Sequence, residues 1–488
     1  MTNARGLEDQ LSKRQMKAAR STLAVRLKRA KLFPVLVVTA AALTACVTSN
    51  HDAGDGALSD EAPKPEARAV PSLNQPTQAE DGFVALFDGK TLDGWTLRGK
   101  RGKGYGVTNG VIYCAQGGGG NLFSEKEYAD FIFRFEFKLE EGANNGIGIR
   151  APLDGDAAYL GMEIQILDEG AAEAGKWGKL RANQFHGSIY DVVAAKKGAL
   201  NPPGQWNTEE ITAQGRHIKV VVNGQTVLET SLNKVVNPGK ILKHPGLFRE
   251  RGHLGFLGHN DYIEFRNIRI KELAHTENDN TAPEGFIALF NGKDLSGWKG
   301  LVADPKKRAA MSPDELAAAQ TKADQLMREN WKIENDALVY RGSNFDNLCT
   351  MSDYANFELV ADWKVEPYSD SGLYLRGTPQ VQIWDPFTQP TKNGSEVGSG
   401  GLFNNKTHPA QPLKVADKSI GEWNHFRIVM VGERVHVLLN DEHVVTNTVL
   451  ENYWDSEKPV APTGPIELQA HRSPVWFKNI YLRELPAN

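Results

Sequence analysis

The chain has 488 residues, long enough for two or three domains with cores of their own. A formal net charge of -4 leaves no electrostatic footprint for nucleic acid, so no nucleic-acid partner is expected. Three cysteines are too few for a disulfide scaffold or a cysteine-built metal site, while 47 glycines and ten tryptophans suit the turns and aromatic platforms of an all-β protein.

Residues 1–46 read as an address. Lys and Arg are frequent over 1–31, and Leu32 to Leu43 is an apolar run too short for a comfortable membrane span. It ends in Leu43-Thr44-Ala45-Cys46, which resembles a bacterial lipobox with Cys46 as the lipidated residue. Val47 after that cysteine resembles lipoproteins of the outer membrane, so the expected location is the cell envelope, with a lipid anchor in the membrane. Residues 47–81 are rich in Ala, Pro, Asp, Glu and Ser without apolar periodicity and read as a flexible tether.

The remainder is said twice. Gly82-Phe-Val-Ala-Leu-Phe-Asp-Gly-Lys-Thr-Leu-Asp-Gly-Trp95 returns as Gly285-Phe-Ile-Ala-Leu-Phe-Asn-Gly-Lys-Asp-Leu-Ser-Gly-Trp298, with ten of fourteen positions identical. A repeat spaced by about two hundred residues is a duplicated domain. In each copy the apolar run predicts a buried strand, Asp88-Gly89 or Asn291-Gly292 a tight turn, and the Trp a packing residue beneath it. Further blocks recur in order: Asn121 to Arg150 on Asn347 to Arg376, Gly204-Gln-Trp-Asn207 on Gly421-Glu-Trp-Asn424, and Phe265-Arg-Asn-Ile268 on Phe477-Lys-Asn-Ile480. Domains are expected over 82–274 and 285–486, joined by a polar linker at 275–284. Most blocks alternate apolar and polar residues over five to eight positions between Gly, Asn or Asp, which predicts antiparallel β-sandwiches of jelly-roll type. One insertion, about 312–329, is helical: Ser312-Pro313-Asp314-Glu315 is a capping signature, and Leu316, Ala319, Ala323 and Leu326 share a face.

Alternation within the matched strands sends Ile147, Ile149, Ile164 and Ile166 to the first core, and Leu373, Leu375, Val381 and Ile383 to the second. It sends Gly148, Arg150, Glu163 and Gln165 to the opposite face, and likewise Tyr374, Arg376, Gln380, Gln382 and Trp384. Guanidinium and amide groups pair with adjacent hydroxyls and aromatic rings cover C–H faces, so these residues are candidate sugar contacts.

The combination of Leu-Phe-Asn-Gly-Lys-Asp-Leu-Ser-Gly-Trp, Asp-Ser-Gly-Leu-Tyr-Leu-Arg, Val-Gln-Ile-Trp-Asp, Gly-Glu-Trp-Asn and Trp-Phe-Lys-Asn-Ile resembles the 3-keto-disaccharide hydrolase family. The resemblance covers nearly all of 82–486 as two tandem copies. It implies two concanavalin A-like jelly rolls, an oxidised carbohydrate substrate, and functional coupling to a sugar 3-oxidoreductase that makes the ketone. A C3 ketone acidifies the C2 hydrogen. A base removes that proton, the enolate forms at O3, the C1 aglycone leaves, and water adds back. Such a site needs a base, a stabiliser of the enolate oxygen and an acid for the leaving group.

Asp168 and Asp385 close equivalent strands, and His259 and His471 stand at matched positions, six residues before the Phe-Xaa-Asn-Ile strand. These four and Glu163 are the candidate catalytic residues. A turn-capping role for the Asp pair and a structural role for the His pair are the competing readings. His186 has no counterpart in the second copy, where Lys406 and Lys414 are candidate stabilisers of the enolate. Glu163 aligns with Gln380, so no acidic pair recurs, as ordinary glycosidases would require. No cofactor is implied; carboxylates and His in one cleft could hold a divalent cation at the enolate oxygen, though no spacing demands it. The rival reading is a non-catalytic carbohydrate-binding lipoprotein with lectin-like sandwiches.

Overall fold

The computed structural model describes residues 82–274, 279–388 and 394–486. The basic segment, the apolar run, Cys46 and the tether expected before residue 82 lie outside the described residues, as do residues 275–278 of the linker.

Two antiparallel β-sandwiches follow each other. In the first, a large sheet runs Gln225–Ser231, His217–Val222, Trp206–Gln214, Phe131–Leu139, Ile263–Glu272, Val111–Cys114, Tyr105–Thr108. A five-stranded sheet, Trp95–Arg101, Gly119–Tyr128, Gly252–His259, Asn144–Ala151, Met162–Leu167, faces it. The second sandwich repeats both sheets in the same strand order, its small sheet running Trp298–Gly300, Leu348–Thr350, Glu467–Leu468, Asp370–Leu375, Thr378–Trp384. The isoleucines and leucines assigned inward by alternation are fully buried between the sheets in both copies. Cys114 and Cys349 are separate buried thiols.

The opening repeat is shaped differently from the expectation. Only Val84–Ala85 and Ile287–Ala288 pair as strands, at the sheet margin, and all four residues are exposed. The tryptophans do close the unit. Trp95 Nε1 donates to Leu86 O at 2.8 Å and Trp298 Nε1 to Leu289 O at 2.6 Å. Asp88 accepts from the N–H of Lys90 and Thr91, Asn291 from Lys293 and Asp294, and Gly89 and Gly292 take positive φ to complete the turn.

The insertion forms Pro305–Ala310 and Pro313–Asn330. Ser312 and Glu315 make the reciprocal capping box. The contact stripe is rotated from the one expected: Met327 is buried, whereas Leu316 is exposed. Ala323 comes so close to the edge strand that a Cβ on Gly300 would lie 2.2 Å from its carbonyl oxygen, and Asp324 accepts the Gly300 N–H at 2.8 Å. The helix therefore covers one edge of the small sheet, which removes a row of unpaired backbone groups.

The sandwiches share an interface. Val429, Val431, Leu438 and Leu485 of the second join the apolar cluster of the first. At its centre Glu358, fully buried, accepts from Arg483 and Arg427, with Arg216 of the first sandwich at 4.0 Å; Arg427 also pairs with Glu250. Burial raises the Glu358 carboxyl, but Arg216, Arg427 and Arg483 outweigh it and hold it at about 2. Glu467 is the opposite case. It is buried with one oxygen lacking a hydrogen-bond partner, and burial pushes it to about 7 against weak help from Arg308.

These two carboxyls give opposite pH slopes. The Glu358 contribution is present above the unfolded value near 4.5 and is lost as pH falls toward 2; Glu358→Ala should cost about 3–5 kcal/mol at neutral pH by leaving guanidinium groups unpaired. Glu467 has a raised folded value, so stability falls as pH climbs from 4.5 through 7, by up to roughly 3 kcal/mol. Denaturant titrations at pH 5 and 8 should show that loss in the parent chain and a smaller one in Glu467→Gln.

Candidate active site

Strands Asn144–Ala151 and Met162–Leu167 of the first small sheet pair with Gly146 opposite Gln165 and Gly148 opposite Glu163. The Glu163 side chain lies across Gly146: a Cβ there would fall 1.9 Å from Glu163 Oε1. The segment ending in Tyr190 bonds back along the same strand, Tyr190 N–H to Glu163 O at 2.8 Å and Gln165 N–H to Ser188 O at 3.0 Å. This cover explains why Glu163 and Gln165, on the non-core face, are each only 4% exposed.

Between this cover, the segment 155–159 and the sheet lies a cleft of about 510 Å³, lined by Glu163, His259, Gln165, Asn144, Tyr159 and Tyr190 among others. Glu163 Oε1 has no hydrogen-bond partner, and His259 Nε2 stands 3.5 Å from it on a half-exposed side chain. Burial raises the Glu163 carboxyl, and His259 draws it partly back. Gln165 Nε2 donates to Asn144 Oδ1 at 2.9 Å. The cleft thus holds a carboxyl of raised proton affinity, an imidazole, amides and two phenols. Base chemistry with polar recognition of hydroxyls is within its means.

The second copy carries the same parts with the carboxylate moved. Asp370 stands where the first copy has Asn144, and Gln380 where it has Glu163. Gln382 Nε2 donates to Asp370 Oδ1 at 2.7 Å, Gln380 donates to Gln382, and His471 Nδ1 lies 3.3 Å from Asp370 Oδ2. Burial raises Asp370, with His471 and Gln382 opposing. The floor differs. Tyr374 and Glu467, paired across the strands, replace Gly148 and Gly255, and Gln469 Nε2 donates to the Tyr374 hydroxyl at 3.2 Å. In the first copy the side chains of Leu257 and Phe123 lie over those two glycines.

Several expected site residues do other work. Arg150 and Arg376 were assigned to the sugar face, but both adopt positive φ (49° and 55°), which breaks the alternation and turns them under the sheet end. Arg150 donates to the carbonyls of Ala129 and Gly215 and to Asp130, and Arg376 to those of Ala355 and Ala461 and to Asn356. Both are buried structural ties.

Asp168 and Asp385 both cap turns, the competing reading of the pair. Asp168 accepts the N–H groups of Gly170, Ala171 and Gly142. Asp385 accepts those of Tyr368, Phe387 and Thr388; burial raises its carboxyl, but these bonds prevail and hold it below the usual range. Trp384 is buried, donates Nε1 to Gly398 O at 2.7 Å and meets the Phe403 ring edge-on, so it packs a loop. His186 is a core residue against Phe137, 3.7 Å from buried Glu209 and pushed down to about 3 by burial. Lys406 is exposed and its backbone N–H donates to Glu451; Lys414 pairs with Glu442.

The sequence reading missed Asn144, Tyr159, Tyr190 and Asp370. Asn144 and Asp370 sat in the gap-free block and were legible as an aligned amide and acid. Tyr190 closes the His-Gly-Ser-Ile-Tyr segment, which drew attention for its histidine alone. Among the described residues no three His, Cys, Asp or Glu side chains converge as a metal site.

Known proteins resemble this sequence. A Bacteroides thetaiotaomicron protein named 3-keto-disaccharide hydrolase is 28% identical over 252 residues, spanning 43% of this chain and 84% of its own. A solved Parabacteroides distasonis structure, described as a candidate glycosyl hydrolase, is 28% identical over 39% of this chain and 99% of its own, with a TM-score of 0.34. A second from that organism is 23% identical, over 40% and 95%, with the same TM-score. The profile of the 3-keto-alpha-glucoside-1,2-lyase-like domain matches residues 82–271 and again 285–483. Most of the chain is thus accounted for by two copies of one domain, and the chain belongs to the 3-keto-alpha-glucoside-1,2-lyase-like family of carbohydrate-active proteins.

Proposed function

We propose that the first sandwich cleaves glycosidic bonds of 3-keto-glucosides by elimination and rehydration, with Glu163 as the base. The observation that carries this reading is the Glu163–His259 pair in an open cleft, with Glu163 Oε1 lacking a partner. Glu163 takes the C2 proton, and the C2 electron pair forms the enolate at O3. The C1–O bond to the aglycone then breaks. His259, at the mouth, is placed to donate to the enolate oxygen or the departing oxygen. Water adds at C1 and the proton returns to C2. Gln165 and Asn144 supply amides for ring hydroxyls, and Tyr159 and Tyr190 supply faces for ring C–H groups. A carboxyl raised by burial suits this task, because base strength grows with pKa up to the working pH. The cleft's other carboxyl, Asp156, is taken up by capping the Ala158 N–H, which suits elimination with Glu163 as the single base better than double displacement on two free carboxyls.

The second sandwich, which has Gln380 where the first has Glu163, is read as the partner that packs against the first and presents Asp370–His471 at its surface. A sugar 3-oxidoreductase would supply the ketone. We also propose lipid attachment at Cys46, on the sequence pattern alone; Cys46→Ala should abolish incorporation of a palmitate analogue, and equal label in both forms rejects it.

Turnover of a 3-keto-glucoside beside its unoxidised parent tests the reaction. Only the ketone should be cleaved, and the product formed in D₂O should carry deuterium at C2. Binding of glycans without cleavage of either would favour the lectin reading instead. Glu163→Gln should lower turnover by roughly 10²–10⁴-fold without loss of stability, since the ionised form is the one burial disfavours.

Activity should rise with pH through the raised Glu163 value, as the base form appears. Removing His259, which lowers that value, should move this acid limb to higher pH. Asp168→Ala gives the contrasting outcome: about 1–2 kcal/mol of stability lost with the cap, and turnover per folded molecule unchanged.

A further inference from the structure

Behind the two tyrosines of the cleft sits a concentration of cationic side chains that the proposed chemistry does not use. Asp191, next to Tyr190, is 1% exposed and held at φ 58°. Lys240 Nζ at 2.6 Å, Lys243 Nζ at 2.7 Å, Arg181 Nη2 at 2.6 Å and His244 Nε2 at 3.1 Å all converge on its carboxylate. Burial raises the Asp191 carboxyl, but the bonds from Lys240, Lys243 and His244 prevail and hold it ionised, while burial lowers His244. Asp156, which caps the short helix before Tyr159, is a second acid on this wall. Three side-chain cations therefore face the one Asp191 carboxylate. The Arg181 and Lys243 side chains are 59% and 50% exposed.

Two links join this cluster to the cleft. Lys243 Nζ lies 5.3 Å from the centroid of the Tyr159 ring, which stacks on His244. Arg181 Nε donates to Gln184 Oε1, and Gln184 Nε2 donates to the Tyr190 hydroxyl. A fixed, buried carboxylate thus presets the cations on the rim. A lysine has three donors and an arginine five, so each can reach a ligand while bonded to Asp191. In the second copy Gly400-Gly-Leu-Phe403 stands where the first has the His-Gly-Ser-Ile-Tyr segment.

We infer that the rim formed by Arg181 and Lys243 recognises an oxyanion (a carboxylate, sulfate or phosphate) on the aglycone of the substrate. This rests on the reading of the first cleft as the glycoside site. Charge-assisted bonds made there give preference for an acidic aglycone over its neutral isostere.

The test compares 4-carboxyphenyl with 4-carbamoylphenyl 3-keto-glucosides, using the full chain at low and moderate salt. A kcat/KM preference of about 10–100-fold for the carboxylate is expected, shrinking with salt. Arg181→Gln with Lys243→Gln should abolish the preference and leave turnover of the neutral substrate unchanged. The 4-sulfophenyl and phosphophenyl analogues rank the three oxyanions. Equal kcat/KM for acid and amide, or a preference that survives in the double variant, overturns the inference. Calorimetric binding of the unoxidised glucosides separates the two claims. A charge preference in binding without turnover of any ketone leaves this inference standing and removes the reaction. Turnover without a preference does the reverse, and binding of neither glucoside with no preference in turnover rejects the rim.

Discussion

The candidate site depends on the missing side chain of Gly146. Glu163 can lie flat on the sheet only because nothing projects from that position; a Cβ would collide with its carboxylate. Gly148 and Gly255, next to it on the sheet, are instead covered by the side chains of Leu257 and Phe123. The second copy keeps Gly372 at the first of these positions but fills the others with Tyr374 and Glu467. One fold, with one strand order, thus carries two differently lined sheet faces.

Charge placement follows a similar division. At the interface Glu358 is buried among guanidinium groups and is held strongly ionised. In the cleft Glu163 is equally buried but meets a single half-exposed imidazole. Burial works in the same direction on both carboxyls, and the neighbours decide the outcome. The carboxylate with several cations is tied into the scaffold, and the one with few is left with proton affinity to use. The shift of the acid from Glu163 to Asp370 between copies keeps one carboxyl beside a conserved place for His. Each copy thus retains a His–carboxyl pair, through different strands.

The arginines show how a sound pattern can mislead. Arg150 and Arg376 recur at matched positions, and recurrence looked like a binding role. It reflects a shared structural demand instead. Each residue sits in the left-handed region at a strand end, where its guanidinium gathers carbonyl oxygens of a neighbouring turn. Duplication preserves folding devices as faithfully as it preserves chemistry, so a matched pair does not separate them.

The sequence by itself determined the duplication, the sandwich class, the inward face of each matched strand, the capped helix and the short list containing Glu163 and His259. These follow from local rules: a period of two, turn chemistry, capping and the repetition of blocks. Only the tertiary structure decided that Asp168 and Asp385 have their oxygens taken by backbone N–H groups, and that Tyr159, Tyr190 and Asn144 meet Glu163. It alone gathered Arg181, Lys240 and Lys243 around Asp191, up to 62 residues apart along the chain. The physical reason is that alternation fixes the face on which a side chain stands, while its proton affinity and partners depend on what loops and strands from distant sequence bring over that face.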